Sequence, residues 1–117
     1  LRISFIFMAF IRRKSKAYPW PVEIKRPSET NAGEFDSDTF TIQFKRLTKK
    51  ELNAFTEAEE EKALEKIVVG WSDITEEDGT EIPFTKGNLK DFSEDIDFVA
   101  GVVEAFQAFY TKGKEGN

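Results

Sequence analysis

The feature that most limits how this chain can fold is a change of hydrophobic period at Thr48. Before it, apolar residues alternate: Trp20, Val22 and Ile24 share one face while Glu23 and Lys25 take the other, and Phe40, Ile42 and Phe44 alternate with Thr39, Thr41, Gln43 and Lys45. A period of two reads as half-buried strands. After it, the apolar spacing becomes helical. Thr48 and Glu51 form T-x-x-E, a capping box that satisfies free N–H groups at a helix start, and Leu47 and Leu52 occupy the two positions of a hydrophobic staple. The expected class is therefore α+β: an N-terminal antiparallel β-hairpin followed by three to four α-helices in a single domain.

The hairpin has polar residues outside, aromatic residues inside, and a turn-rich loop from Pro27 to Gly33. Pro19 and Pro21 have the same parity, so their missing N–H groups fall along one edge, which suits an outer strand. Downstream of Thr48, Leu52 and Phe55 give way to a Glu cluster. A second stripe follows, Ala63, Leu64, Ile67, Val68 and Trp71. The phase changes near Thr56, where Thr56 and Glu59 repeat T-x-x-E, so two helices or one bent helix are expected, with Gly70 as the C-terminal glycine. Asp78-Gly79 marks a turn before an extended piece from Glu81 to Phe84, and Thr85 and Ser93 are candidate N-caps for a short helix and a longer one.

The last helix, about Glu94 to Lys112, carries two apolar stripes where a surface helix needs one. Ile96, Val99, Val103, Phe106 and Tyr110 form the first and are expected to pack on the hairpin. Phe98, Val102, Ala105 and Phe109 form the second, and the sequence assigns these four to partner binding, by another subunit or another protein.

Composition sets the outer limits. At 117 residues, 39% hydrophobic and with 12 Phe and 2 Trp, the chain can close one core, and 33% charged residues keep it from collapsing nonspecifically. The expected layout is a flexible or extraneous N-terminal arm over 1–17, one domain over 18–112 and a fraying tail over 113–117. Leu1 to Ile11 is an apolar run too short for the ~20 residues that span a bilayer. Its charge cluster, Arg12, Arg13, Lys14 and Lys16, follows rather than precedes it, opposite to a secretory signal. Met8 is a candidate start, which would leave Leu1 to Phe7 upstream of the native chain. An extra packed strand is the competing reading.

The same composition excludes most catalytic chemistry. There is no cysteine and no histidine, which removes disulfides, thiolate zinc sites and the commonest general base. Net charge is −5, so no global field draws the chain to nucleic acid or anionic lipid. The acidic run Asp73 to Glu81 fails the EF-hand spacing, with glycine at the seventh place and Phe84 at the twelfth. No phosphate loop, nucleophile elbow or dinucleotide fingerprint is present. No catalytic, cofactor-binding or metal-ligating residue is assigned, and no cofactor is expected.

Two stretches resemble the tail assembly chaperone family of long-tailed bacteriophages and prophages. YPWPVEIKRP at Tyr18 to Pro27 with FTIQFKRLTKKEL at Phe40 to Leu52 is similar to that family's strand, loop, strand and Phe-(Lys/Arg)-Arg-Leu-Ser/Thr helix entry. VVGWSDITEEDGTEIPFTKGNLKDF at Val68 to Phe92 resembles its succession of Gly-Trp, an acidic Asp-Gly turn, Pro-Phe-Ser/Thr and Asn-Leu before a final helix. Gly87 departs from the pattern, which has Glu there. The resemblance implies a non-enzymatic protein of the bacterial host cytoplasm that self-associates as a homo-oligomer. It would bind the tape measure protein and help recruit the tail tube protein, with no nucleic acid or membrane partner. The alternative reading is a small interaction module, an immunity or regulatory protein that binds one folded partner.

Overall fold

The computed structural model describes residues 17–58 and 60–115. The order is β1 (Ala17–Pro27), β2 (Phe35–Lys45), α1 (Lys49–Glu57), α2 (Glu60–Ile67), β3 (Val68–Ser72), α3 (Lys86–Phe92) and α4 (Ile96–Glu115). The strands form one antiparallel sheet in the order β1-β2-β3, and the chain is a small α+β domain. The expected N-terminal arm lies outside the described residues except for Ala17, which opens β1. α4 continues to Glu115, past Lys112, the expected end of the last helix.

The period-two reading sets the sheet's faces. In register, Tyr18 lies opposite Phe44, Trp20 opposite Ile42 and Val22 opposite Phe40, so the alternating apolar residues of both strands share one face. Val22, Ile24, Ile42 and Phe44 are almost fully buried there. The other face holds Pro19, Pro21, Glu23, Thr41 and Gln43. Among the described residues β1 has one strand neighbour, so the two prolines sit on an outer strand, where a missing donor leaves no ladder bond broken.

The capping box is present as read. The Thr48 hydroxyl accepts from the Glu51 N–H at 3.2 Å, and the Glu51 carboxylate accepts from the Thr48 N–H at 2.9 Å. Lys45 also bonds that carboxylate, and the Lys45 ammonium together with the Thr48 N–H lowers its pKa from 4.5 to about 2. A depressed carboxylate pKa contributes stability that is complete above the unfolded-state value and is lost as pH falls through the folded one. The gap in melting temperature between the native chain and Glu51→Gln should therefore be full near neutrality and close between pH 4.5 and about 2. A gap that stays constant over that window in a pH series would show that Glu51 does not act through its charge.

Two boundaries differ from expectation. The stripe through Trp71 is not one helix. α2 stops at Ile67, and Val68–Ser72 turns into β3, pairing Trp71 with Ile42 and Gly70 with Gln43. Without β3, that edge of β2 would have unpaired backbone groups, and Val68, Val69 and Trp71 favour the pleat. A register shift sets Phe44 opposite Val68, and the bypassed Val69 is left 44% exposed. The break near Thr56 yields two helices, and the Thr56 hydroxyl donates to the Asn53 carbonyl.

Ser93, expected to cap the last helix, instead closes α3 and donates to the Leu89 carbonyl at 2.7 Å. Its helical backbone (φ −67°, ψ −13°) suits a C-cap and not the extended geometry of an N-cap. Asp95 caps α4, accepting from the N–H groups of Asp97 (2.9 Å) and Phe98 (3.2 Å). α3 starts as read despite Gly87, because the Thr85 hydroxyl accepts from the Asn88 N–H at 3.0 Å.

α4 lies antiparallel to β1 across the sheet's apolar face. Phe109 meets Trp20 at its C-terminal half, and Asp95, just before α4, bonds Arg26 at the other end. Gly101 permits the approach. A Cβ there would stand 2.9 Å from the Glu23 carbonyl oxygen and collide with the Ile24 side chain. Gly101→Ala should cost about 1–3 kcal/mol, since the obstacle is partly backbone and the helix must back away. Urea denaturation measures this, and an unchanged midpoint would mean that α4 sits farther from β1.

Candidate functional site

The four residues assigned to partner binding do not form a free surface. Phe98 stacks on Phe40 (5.8 Å between centroids, 4° interplanar) and on Phe92 (5.1 Å). Phe109 meets Trp20 edge-on at 5.5 Å and Phe44 at 5.4 Å. Val102 is 0% exposed, Phe98 3% and Phe109 8%, and Ala105 is half-buried beside β1. A side chain already covered by its own sheet has no area to offer a partner, so the assignment of Phe98, Val102 and Phe109 to an outer face is corrected. They are core.

What α4 turns outward is the thinner part of the other stripe. Ile96 is 82% exposed and Val103 half-buried, whereas Val99 and Phe106 of the same stripe are buried. The stripes are each about as apolar as the other, and neither period nor count separates them. Bulk at individual positions does: Phe98, Phe106 and Phe109, drawn from both stripes, pack toward Phe40 and Phe44, and Ile96, Ala100 and Val103 form the outer margin.

Two open grooves flank this margin. One runs between α4 and β1, floored by Ala105 and Ala108 with Trp20 at its end. The other borders Ile96, Val99 and Val103, and both share Ala100 and Glu104. Carboxylates predominate around them: Glu23, Glu94, Asp97 and Glu104, against Lys25.

A third cleft opens at the far end of the hairpin, where Asp38, Asp73, Glu76 and Glu77 surround an apolar floor that includes Ile74 and Phe92, with Arg26 beside them. Backbone bonds shape its loop: Glu76 N–H to the Thr80 carbonyl (2.8 Å), and Ile82 N–H to the Ile74 carbonyl (2.8 Å). Gly79 takes the turn at φ +90°, a region open to glycine. Asp78 accepts from the Thr80 N–H at 2.8 Å, and the Thr80 hydroxyl together with that N–H lowers its pKa. Among the described residues no three acidic side chains converge to hold a metal ion. No helix among them is long and apolar enough to cross a membrane.

The residues that carry the family resemblance have structural work. The Trp71 indole N–H donates to the Ile82 carbonyl at 2.8 Å, and the ring meets Phe84 (5.0 Å) and Phe92 (5.4 Å) edge-on. The Asn88 amide donates to the Pro83 carbonyl at 2.9 Å. Gly-Trp, Pro-Phe-Thr and Asn-Leu thus pin the Ser72–Thr85 segment to the sheet and to α3. Tyr110 donates to the Leu47 carbonyl and lies under the Arg46 guanidinium (4.5 Å to the ring centroid), which ties the Phe-Lys-Arg-Leu-Thr corner to α4. Compared with protein-family models, curated proteins and solved structures, the chain gives no match.

Proposed function

We propose that the chain is a non-enzymatic phage tail assembly chaperone. In this role it associates with its own copies in the bacterial cytoplasm, keeps the tape measure protein soluble and helps bring tail tube subunits to it. The resemblance of Tyr18 to Phe92 to that family supports this reading, and so does the concentration of the shared motifs at fold-determining contacts rather than around a pocket.

The observation that carries it is where apolar surface remains once the core is closed. Phe35 at the end of the hairpin is 66% exposed, Val69 on β3 is 44% exposed and Ile96 on α4 is 82% exposed. They lie on separate elements. Dispersed apolar contacts around open grooves suit several copies lined along an elongated partner better than one small ligand held in a pocket.

Co-expression with the tape measure protein of the same tail gene cluster tests it. The expected result is that a tape measure protein otherwise found in inclusion bodies becomes soluble and co-purifies with this chain. An unchanged insoluble fraction, or stoichiometric binding to one folded partner instead, would favour an immunity or regulatory module and sink the proposal.

A further inference from the structure

The outer face of α4 has an acidic and apolar character that matches one other part of this chain. We propose that the chain's own N-terminal segment, Leu1 to Lys16, docks along it in the same molecule. The reasoning rests on the groove and the sequence and does not depend on the chaperone reading; a docked segment would cover Ile96 and leave Phe35 and Val69 as the apolar contacts that reading uses.

Charge complementarity is the first argument. The grooves beside Ile96, Ala100 and Val103 are bordered by Glu94, Asp97 and Glu104. The segment reads LRISFIFMAFI followed by RRKSK, an apolar run with a basic cluster and no acidic residue.

Order is the second. Ala17 opens β1, whose Trp20 lines the groove at its Ala108 end, and β1 runs antiparallel to α4. Traced back from Ala17, the segment therefore meets the C-terminal half of α4 first. The five residues from Arg12 to Lys16 reach at most ~17 Å when extended, and α4 rises ~20 Å from Phe109 to Ile96. The basic residues then fall near Glu104, and the apolar residues before them reach Ala100, Val103 and Ile96. The acidic cleft at the hairpin end is excluded for this cluster in the same molecule, because Arg26 stands nine residues along β1 from Ala17, ~30 Å away.

The absence of cysteine makes the test clean. Full-length Phe10→Cys/Val103→Cys and Phe5→Cys/Ile96→Cys chains are oxidised mildly at low concentration. They are compared with Phe10→Cys/Thr41→Cys, whose second cysteine lies at a similar reach on the open face of the sheet. The expected result is an intramolecular disulfide at least ten times faster in at least one of the first two pairs than in the third. Adding Glu104→Lys should slow it at least threefold. Ile96 is exposed, so its pair remains informative if Val103→Cys perturbs packing. Equal rates in all three pairs would overturn the proposal. Disulfide-linked dimers as the main product would overturn it in favour of a second copy's segment, and a rate indifferent to Glu104→Lys would overturn the charge matching.

Discussion

Val102→Glu should unfold the domain rather than loosen an assembly. Val102 is completely buried between α4 and the sheet, so the carboxylate could not reach water while the helix stays docked. The change forfeits the ~1.5–3 kcal/mol that burying an aliphatic side chain supplies. It also adds several kcal/mol for an unpaired buried charge, or the cost of holding it protonated. Against a whole-domain stability of about 5–15 kcal/mol, the sum leaves little folded population. Circular dichroism of the purified variant is the measurement. Phe35→Glu, at the exposed end of the hairpin, should shift stability by no more than ~0.5 kcal/mol. If Val102→Glu keeps a cooperative native-like melt, α4 is rotated relative to the sheet and the stripe of Phe98, Val102 and Phe109 faces out after all.

Trp71→Ala is the second large effect. The indole is half-buried, yet it joins three elements: its own strand, Phe84 in the following segment and Phe92 of α3. Removal of such a ring costs roughly 3–5 kcal/mol, here at the lower end because part of the ring is exposed. The loss should be local before it is global. Limited proteolysis is expected to cut within the Asp73 to Phe84 segment well below the temperature at which the sheet melts. Trp71→Phe retains edge contacts but not the bond to the Ile82 carbonyl, so it should lose less, about 1–2 kcal/mol. Equal losses in the two variants would mean that the hydrogen bond, rather than the ring, holds the segment.

Local rules made part of this protein legible. The strand faces of Trp20 to Ile24 and Phe40 to Phe44, the edge position marked by Pro19 and Pro21, the Thr48 capping box, the Thr85 cap and the Asp78-Gly79 turn depend on interactions within a few residues, so the sequence alone determined them. Tertiary structure decided the rest. Val68 to Ser72 became a strand because β2 had a second edge to pair, a demand that no window around Trp71 contains. Asp95 displaced Ser93 as the cap of α4 while its other carboxylate oxygen bonds Arg26, 69 residues away. The choice between two equally periodic stripes on α4 went to Phe98, Val102 and Phe109. They face the aromatic residues of β1 and β2, and Gly101 lets the helix close onto Glu23 and Ile24. Which side of a largely apolar helix turns inward depends on the shape and bulk of the surface it meets, and that surface is assembled from strands some 60 to 90 residues earlier in the chain.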